Sequence, residues 1–198
     1  MDFDKLLNHE DYVLEIRNVR VMARNGVFAP EPELTYSPFI ILDNLPDVFE
    51  KTVLDMGTGT GIIAVVCAKN GARVVAADID GRAVANAKEN VIANNVDVTV
   101  LQSDLFEHIS GRFDYIFANL PILESFWNTE TKTIIERFLT DAKDHLNKVG
   151  KIFLTWFSIS DPQDVRSMIA NANYRCAEFS TEKIGFRWYL FMIENGSS

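Results

Sequence analysis

What the chain lacks narrows it first. Two cysteines in 198 residues, Cys67 and Cys176, cannot make a disulfide framework, so free thiols are expected. The histidines His9, His108 and His145 lie far apart without companion ligands at zinc spacing, and no metal site is expected. No apolar run reaches the length of a membrane span, and the acidic start Met-Asp-Phe-Asp-Lys carries no secretory signal. A cytoplasmic protein with no membrane contact is the expectation. Positive charge is also scarce. With 19 Lys and Arg against 28 Asp and Glu, the formal net charge is −9. Binding to a phosphate backbone draws on clustered Lys and Arg. RNA is therefore open but disfavoured as a partner, and a protein or small-molecule partner is preferred. The exception is the window holding Arg17, Arg20 and Arg24 without an acid. It reads as a solvated hairpin edge in preference to a substrate-docking patch.

The rest of the composition, 47% hydrophobic and 24% charged, is that of one soluble globular domain with a sizeable core. Residues 2–8 suit a short helix, and Tyr12 to Ile16 and Val19 to Ala23 alternate as a hairpin turning at Arg17 and Asn18. Three prolines and a glycine in residues 26–38 imply an ordered but irregular connection, and Phe39 to Leu45 a helix. Residues 1–45 are thus expected to form an appendage, residues 46–194 the main domain and residues 195–198 a disordered tail. From residue 51 strands and helices alternate, which argues for an α/β protein with a parallel sheet covered on both faces. Strands are expected near Thr52 to Asp55, Arg73 to Asp78, Val98 to Leu101, Tyr115 to Ala118 and Lys151 to Trp156. The final pair, Arg175 to Thr181 and Arg187 to Ile193, should be antiparallel.

The most informative segment runs from Val53 to Gly61, Val-Leu-Asp-Met-Gly-Thr-Gly-Thr-Gly, followed by Ala-Ala-Asp-Ile-Asp at 76–80. A buried strand, a glycine turn, a helix, a second strand and an acid at its end frame a nucleotide-like cofactor site. Gly57 and Gly59 let the backbone approach a ligand, Gly61 lets the next helix start close to the sheet, and Asp78 can accept from both hydroxyls of a ribose. A dinucleotide fingerprint would place its third glycine at 62, which is Ile62. Asp55 would also sit near the pyrophosphate of a dinucleotide, whereas a cationic ligand tolerates that carboxylate. S-adenosylmethionine carries a sulfonium and an ammonium and no phosphate.

At these residues the chain resembles the class I S-adenosylmethionine-dependent methyltransferases. The resemblance implies a doubly wound, mostly parallel Rossmann-like seven-stranded sheet with an antiparallel last strand and a small N-terminal helix and hairpin appendage. Ser103-Asp104-Leu105-Phe106 is similar to the family's third motif, which implies that Asp104 and the Leu105 amide read the adenine. Phe113 to Pro121 resembles the catalytic motif of the Asn-Pro-Pro-aromatic N-methyltransferases, which modify ribosomal-RNA guanine, glutamine amides or ribosomal proteins. Asn119 and Pro121 match that motif, while Leu120 replaces its first proline and Ile122 its aromatic. Either Phe126 or Trp127 reaches back to stack on the acceptor, or both anchor the loop. Gly26 to Pro38 is similar to the stretch that closes over the cofactor in ribosomal-RNA guanine methyltransferases; a plain linker is the other reading.

The resemblance thus implies a donor site of Asp55, Gly57, Thr58, Gly59, Gly61, Asp78, Ile79, Asp104, Leu105 and Asn119, and an acceptor site of Asn119, Leu120 and Pro121. The Asn119 side-chain oxygen and the Leu120 carbonyl would accept the two N–H bonds of a conjugated nitrogen and help free its lone pair. The expected activity is methyl transfer to nitrogen of a protein side chain or small molecule. Its rivals are an RNA base N-methyltransferase, a non-catalytic cofactor-binding interaction protein and a dinucleotide oxidoreductase.

Overall fold

The computed structural model describes residues 4–120, 129–158 and 161–196. After α1 (Asp4–Leu7), β1 (Tyr12–Ile16) and β2 (Val19–Ala23) form the expected antiparallel hairpin. Arg17 and Asn18 turn it with φ of 53° and 62°, the left-handed pair that matches the twist of the flanking strands. The irregular stretch that follows ends in α2 (Ser37–Asp43), which begins two residues earlier than expected. Pro38 explains the start, because a missing N–H costs nothing in a helix's first turn. Phe39, Ile40, Ile41 and Leu42 are all buried, so α2 is part of the core.

Beyond it come β3 (Thr52–Met56), α3 (Ile62–Lys69), β4 (Arg73–Asp78), α4 (Gly81–Ala93), β5 (Val98–Gln102) and β6 (Phe113–Ala118). They are followed by α5 (Thr129–His145), β7 (Leu146–Phe157), α6 (Pro162–Asn171), β8 (Tyr174–Lys183) and β9 (Phe186–Asn195). Seven of the strands make one sheet in the order β5-β4-β3-β6-β7-β9-β8. The first five in that order are parallel, and β9 runs antiparallel between β7 and β8. This is the doubly wound Rossmann-like sheet. Asn195, expected in a disordered tail, ends β9, and the Gly196 N–H donates to the Asn173 carbonyl at 3.2 Å. The order reverses between β3 and β6, and the carboxyl ends of strands flanking such a switch leave a crevice.

Side-chain amides dock the hairpin onto the main sheet's layer of helices. Asn86 and Asn90 lie one turn apart on α4, and Asn94, one turn further, is its C-cap. The amide N–H groups of Arg20, Met22 and Arg24 donate to their Oδ1 atoms at 3.0, 2.7 and 3.2 Å. In return Asn94 Nδ2 donates to the Arg20 carbonyl, while Asn86 and Asn90 share the Met22 carbonyl. Four helical residues rise about 6 Å and two strand residues about 6.6 Å, so the two periods nearly coincide. The helix therefore satisfies an edge strand that would otherwise expose its backbone. Val19 and Val21, on the other face of β2, join the core.

Candidate active site

The glycine turn after β3 is held from below. Asp55 is fully buried, and its Oδ2 accepts from the Thr58 hydroxyl at 2.6 Å and the Ala64 N–H at 3.1 Å. Its Oδ1 is buried without a hydrogen-bond partner. Burial pushes the Asp55 carboxyl up to about 7, opposed by those two hydrogen bonds and assisted by the nearby Asp78. Asp55 does not line the cavity above it, so in this structure it braces the turn and makes no ligand surface.

Two glycines are required by their neighbours in the chain's own fold. At Gly57, φ is +72° and an added Cβ would come within 3.2 Å of Leu120 Cδ2 and 3.4 Å of the Asn119 carbonyl oxygen. The turn and the end of β6 pack this closely because β3 and β6 are adjacent strands. At Gly61, φ is +80° and a Cβ would meet Ala87 Cβ at 3.1 Å, so the close approach is to α4 and not to the sheet. Gly61 lies outside the cavity lining, while Gly57, Thr58 and Gly59 form part of it.

The cavity, about 340 Å³, opens over the carboxyl ends of β3, β4 and β6. Asp78, last in β4, accepts from the Gly59 N–H at 2.9 Å through Oδ2 and from the Asp80 N–H at 3.0 Å through Oδ1. Burial raises its pKa, and the Asp80 and Gly59 N–H bonds hold it back. The Ile79 N–H also bears on this carboxylate, which keeps a lone pair for a further donor. Ile79 is 65% exposed beside it, an apolar face at the cavity rim. Asp104 and Leu105 also line the cavity, Asp104 in an ion pair with Arg137 at 3.1 Å. Leu105 adopts φ of 49°, uncommon for a residue with a Cβ. Ser103 stabilises that turn, since its hydroxyl donates to the Leu105 carbonyl at 2.7 Å and accepts from the His108 N–H at 3.0 Å.

The other end of the cavity is assembled from distant parts. Asn119 follows β6 and its Oδ1 accepts from the Thr155 hydroxyl of β7 at 2.9 Å. Leu120, Trp156, Phe157 and Trp188 continue the wall, with Phe157 and Trp188 stacked at 5.0 Å. Phe28, Pro30, Thr35, Ser37 and Pro38 from the irregular N-terminal stretch also line the cavity, with the Phe28 carbonyl oxygen 3.8 Å from where a Cβ on Gly59 would stand. Gly26 and Ala29 fasten that stretch by donating to the Leu7 and Leu6 carbonyls at 2.7 and 2.9 Å. Pro121, Ile122, Phe126 and Trp127, named above for the acceptor side, lie outside the described residues. Sequence reasoning did not single out Thr155, Trp156, Phe157 or Trp188. Thr155 left one signal, a lone hydroxyl in the apolar run from Ile152 to Phe157, which burial obliges to find a partner.

Charge in the cavity has one sign. Asp78, Asp80 and Asp104 line it, and among the described residues no Lys, Arg or His does. Residues 121–128 include Glu124 and no base either. Asp104 is paired with Arg137 and Asp80 with Arg82 at 2.6 Å, which leaves Asp78 as the unpaired charge of the lining, one that suits a sulfonium with an ammonium better than a pyrophosphate. The arginine window points elsewhere. Arg17 pairs with Asp43, and Arg24 pairs at 2.6 Å with both Asp11 and Glu89. Among the described residues there is no group of three or more His, Cys, Asp and Glu side chains arranged to hold a metal ion.

Comparison with known proteins agrees with this geometry. Residues 18–186 match the family model described as the methyltransferase small domain. A protein of Methanocaldococcus jannaschii, provisionally named as a protein N5-glutamine methyltransferase, is 30% identical over 189 residues, 88% of this chain and 94% of its own. The ribosomal protein L11 methyltransferase of Thermotoga maritima is 53% identical over 70 residues. That match spans 35% of this chain and only 26% of the Thermotoga protein. Among solved structures, the Thermus thermophilus 16S ribosomal-RNA N2 G1207 methyltransferase, solved with S-adenosylmethionine and guanosine, superposes with a TM-score of 0.69 at 21% identity. It covers 94% of this chain and 50% of that one, a likeness of fold.

Proposed function

The chain belongs to the methyltransferase small domain family and is an S-adenosylmethionine-dependent methyltransferase, and from that premise we propose that its acceptor is a nitrogen of a protein side chain. A carboxamide of the glutamine type is the first acceptor to test, a small-molecule amide or amine the second. The observation that carries this reading is Asn119 at the inner end of a cavity lined by carboxylates and by no described cation. The relative aligned over most of both chains carries a glutamine methyltransferase name, which supports the same acceptor. We place the protein in the cytoplasm on the same reading, with Cys67 and Cys176 unpaired.

In this proposal Asp78 accepts from the ribose hydroxyls, Ile79 covers one face of the adenine and Asp104 with the Leu105 amide meets its edge. Gly57 to Gly59 form the floor beneath the donor. When bound, the cofactor supplies a methyl on a sulfonium, so that an N–CH3 bond forms as the S–CH3 bond breaks, leaving a neutral thioether and releasing the acceptor's N–H proton to water. The protein's part is to align the acceptor and free its lone pair. An amide nitrogen is a poor nucleophile because that pair is delocalised into the carbonyl. Asn119 Oδ1 and the Leu120 carbonyl draw on its N–H bonds and stabilise the positive charge that develops there. Oδ1 has two lone pairs, of which Thr155 uses one, leaving the other for the acceptor.

Methyl-labelled S-adenosylmethionine incubated with the protein and cell extract tests this directly. Label in protein, released from hydrolysates as an N-methylated side chain, is the expected result. Label recovered in structured RNA, with binding that weakens steeply as salt rises, would replace the reading with an RNA base methyltransferase.

A further inference from the structure

We propose that Thr155 is a positioning residue for methyl transfer, its buried hydroxyl holding the Asn119 carboxamide in the orientation the acceptor requires. The inference rests on the acceptor role proposed for Asn119. Its own support is the placement of Thr155. Leu154 pairs with Ala118 in the parallel β6–β7 ladder, so the next residue on each strand, Thr155 and Asn119, emerge side by side at the sheet's carboxyl edge. Thr155 is 2% exposed, yet it faces the cavity between Leu154 and Trp156, which are 0% and 1% exposed.

A valine would occupy the same volume in this apolar strand without desolvating a hydroxyl. The hydroxyl's recorded partner is Asn119 Oδ1 at 2.9 Å, so holding that amide is what the hydroxyl adds. Asn119 needs such a restraint. A carboxamide turned about its last bond exchanges oxygen for nitrogen with almost no change in shape, and only hydrogen bonds decide between the two. An acceptor N–H is served by the oxygen alone. With Thr155 donating to one lone pair of Oδ1, the amide is held and the other lone pair stays available. Thr155 itself need not touch the acceptor.

The test compares wild type, Thr155→Val, Thr155→Ser, Asn119→Ala and the Thr155→Val, Asn119→Ala double variant. Two probes are used: the Asn119 side-chain NH2 resonances in nitrogen-15-labelled protein with S-adenosylhomocysteine, and initial rates of label transfer from S-adenosylmethionine to extract protein. Thr155→Val should shift and broaden the Asn119 pair and lower the rate about ten-fold or more, with S-adenosylhomocysteine affinity unchanged. Thr155→Ser should keep the resonance and most of the rate, and Thr155→Val should cost nothing further once Asn119 is alanine. An unchanged Asn119 resonance, a full rate in Thr155→Val, or an equal loss in the Asn119→Ala background would each overturn the proposal alone. A full rate in Asn119→Ala would overturn the acceptor reading and, with it, the role of Thr155.

Discussion

The two ends of the cavity are built in opposite ways. At the donor end the lining comes from short contiguous segments at the ends of neighbouring parallel strands: Gly57 to Gly59, Asp78 to Asp80 and Ser103 to Leu105. At the acceptor end Asn119 bonds to Thr155 and shares the lining with Trp156, Phe157 and Trp188 from two later strands and with Ser37 and Pro38 of α2. Strand-end geometry holds the donor end wherever the sheet forms. Long-range packing holds the acceptor end, and a change of acceptor there need not disturb the cofactor.

Substitutions can separate the two ends. The largest effect is expected for Asn119→Ala, a loss of roughly 10² to 10³ in rate with cofactor affinity nearly intact, since a transition-state hydrogen bond is removed. Rate and S-adenosylhomocysteine affinity measured together decide it; a parallel loss of affinity would mean the two ends are not separable at Asn119. Asn90→Ala comes next. It strips the side-chain partner from the Met22 N–H and from the Thr60 carbonyl of the glycine turn, while the Met22 carbonyl keeps Asn86. Leaving buried backbone groups unpaired costs about 1–3 kcal/mol each at the most, and denaturant titration should show a fall of that order. No change would mean that the hairpin is held by apolar contact alone.

Asp78→Ala should weaken S-adenosylhomocysteine binding about ten-fold or more by removing the ribose acceptor and the anchor of the Gly59 N–H. Calorimetry reads it, and unaltered affinity would remove Asp78 from the donor end. The smallest effect concerns pH. Because burial raises the Asp55 carboxyl to about 7 from an unfolded value of 3.8, the folded state holds the proton more tightly between those values. The contribution of Asp55 is therefore fully present below about pH 4 and is lost as pH rises through 7. Relative to Asp55→Asn, wild type should lose melting temperature between pH 5 and pH 8. Parallel pH profiles would show that Asp55 keeps an ordinary carboxylate pKa.

How much of this was legible can be followed residue by residue. The hairpin at Arg17 and Asn18 and the strand pattern after residue 51 were readable because each rests on near neighbours in the chain. Asp55 was expected in the donor site, and the structure sets it beneath the glycine turn. Sequence position shows that it precedes the turn by two residues, but not that its side chain turns under the glycines to Thr58 and Ala64. Sequence reasoning did not single out Asn86, Asn90 and Asn94. Their partners lie more than sixty residues away on β2, and only the docked hairpin shows them to be a ladder.

By itself the sequence determined the parallel sheet and the glycine turn with Asp78 opposite it, because a turn and an alternation are local properties. Tertiary structure alone decided which residues face one another across strands. Thr155 and Asn119 meet because β6 and β7 are neighbours with Ala118 opposite Leu154. Gly61 is a glycine because α4 passes within contact of it. Alternation along a strand shows which side chains point inward, but the register against another strand is set by packing the whole sheet, and one residue of slip would have placed a different side chain beside Asn119.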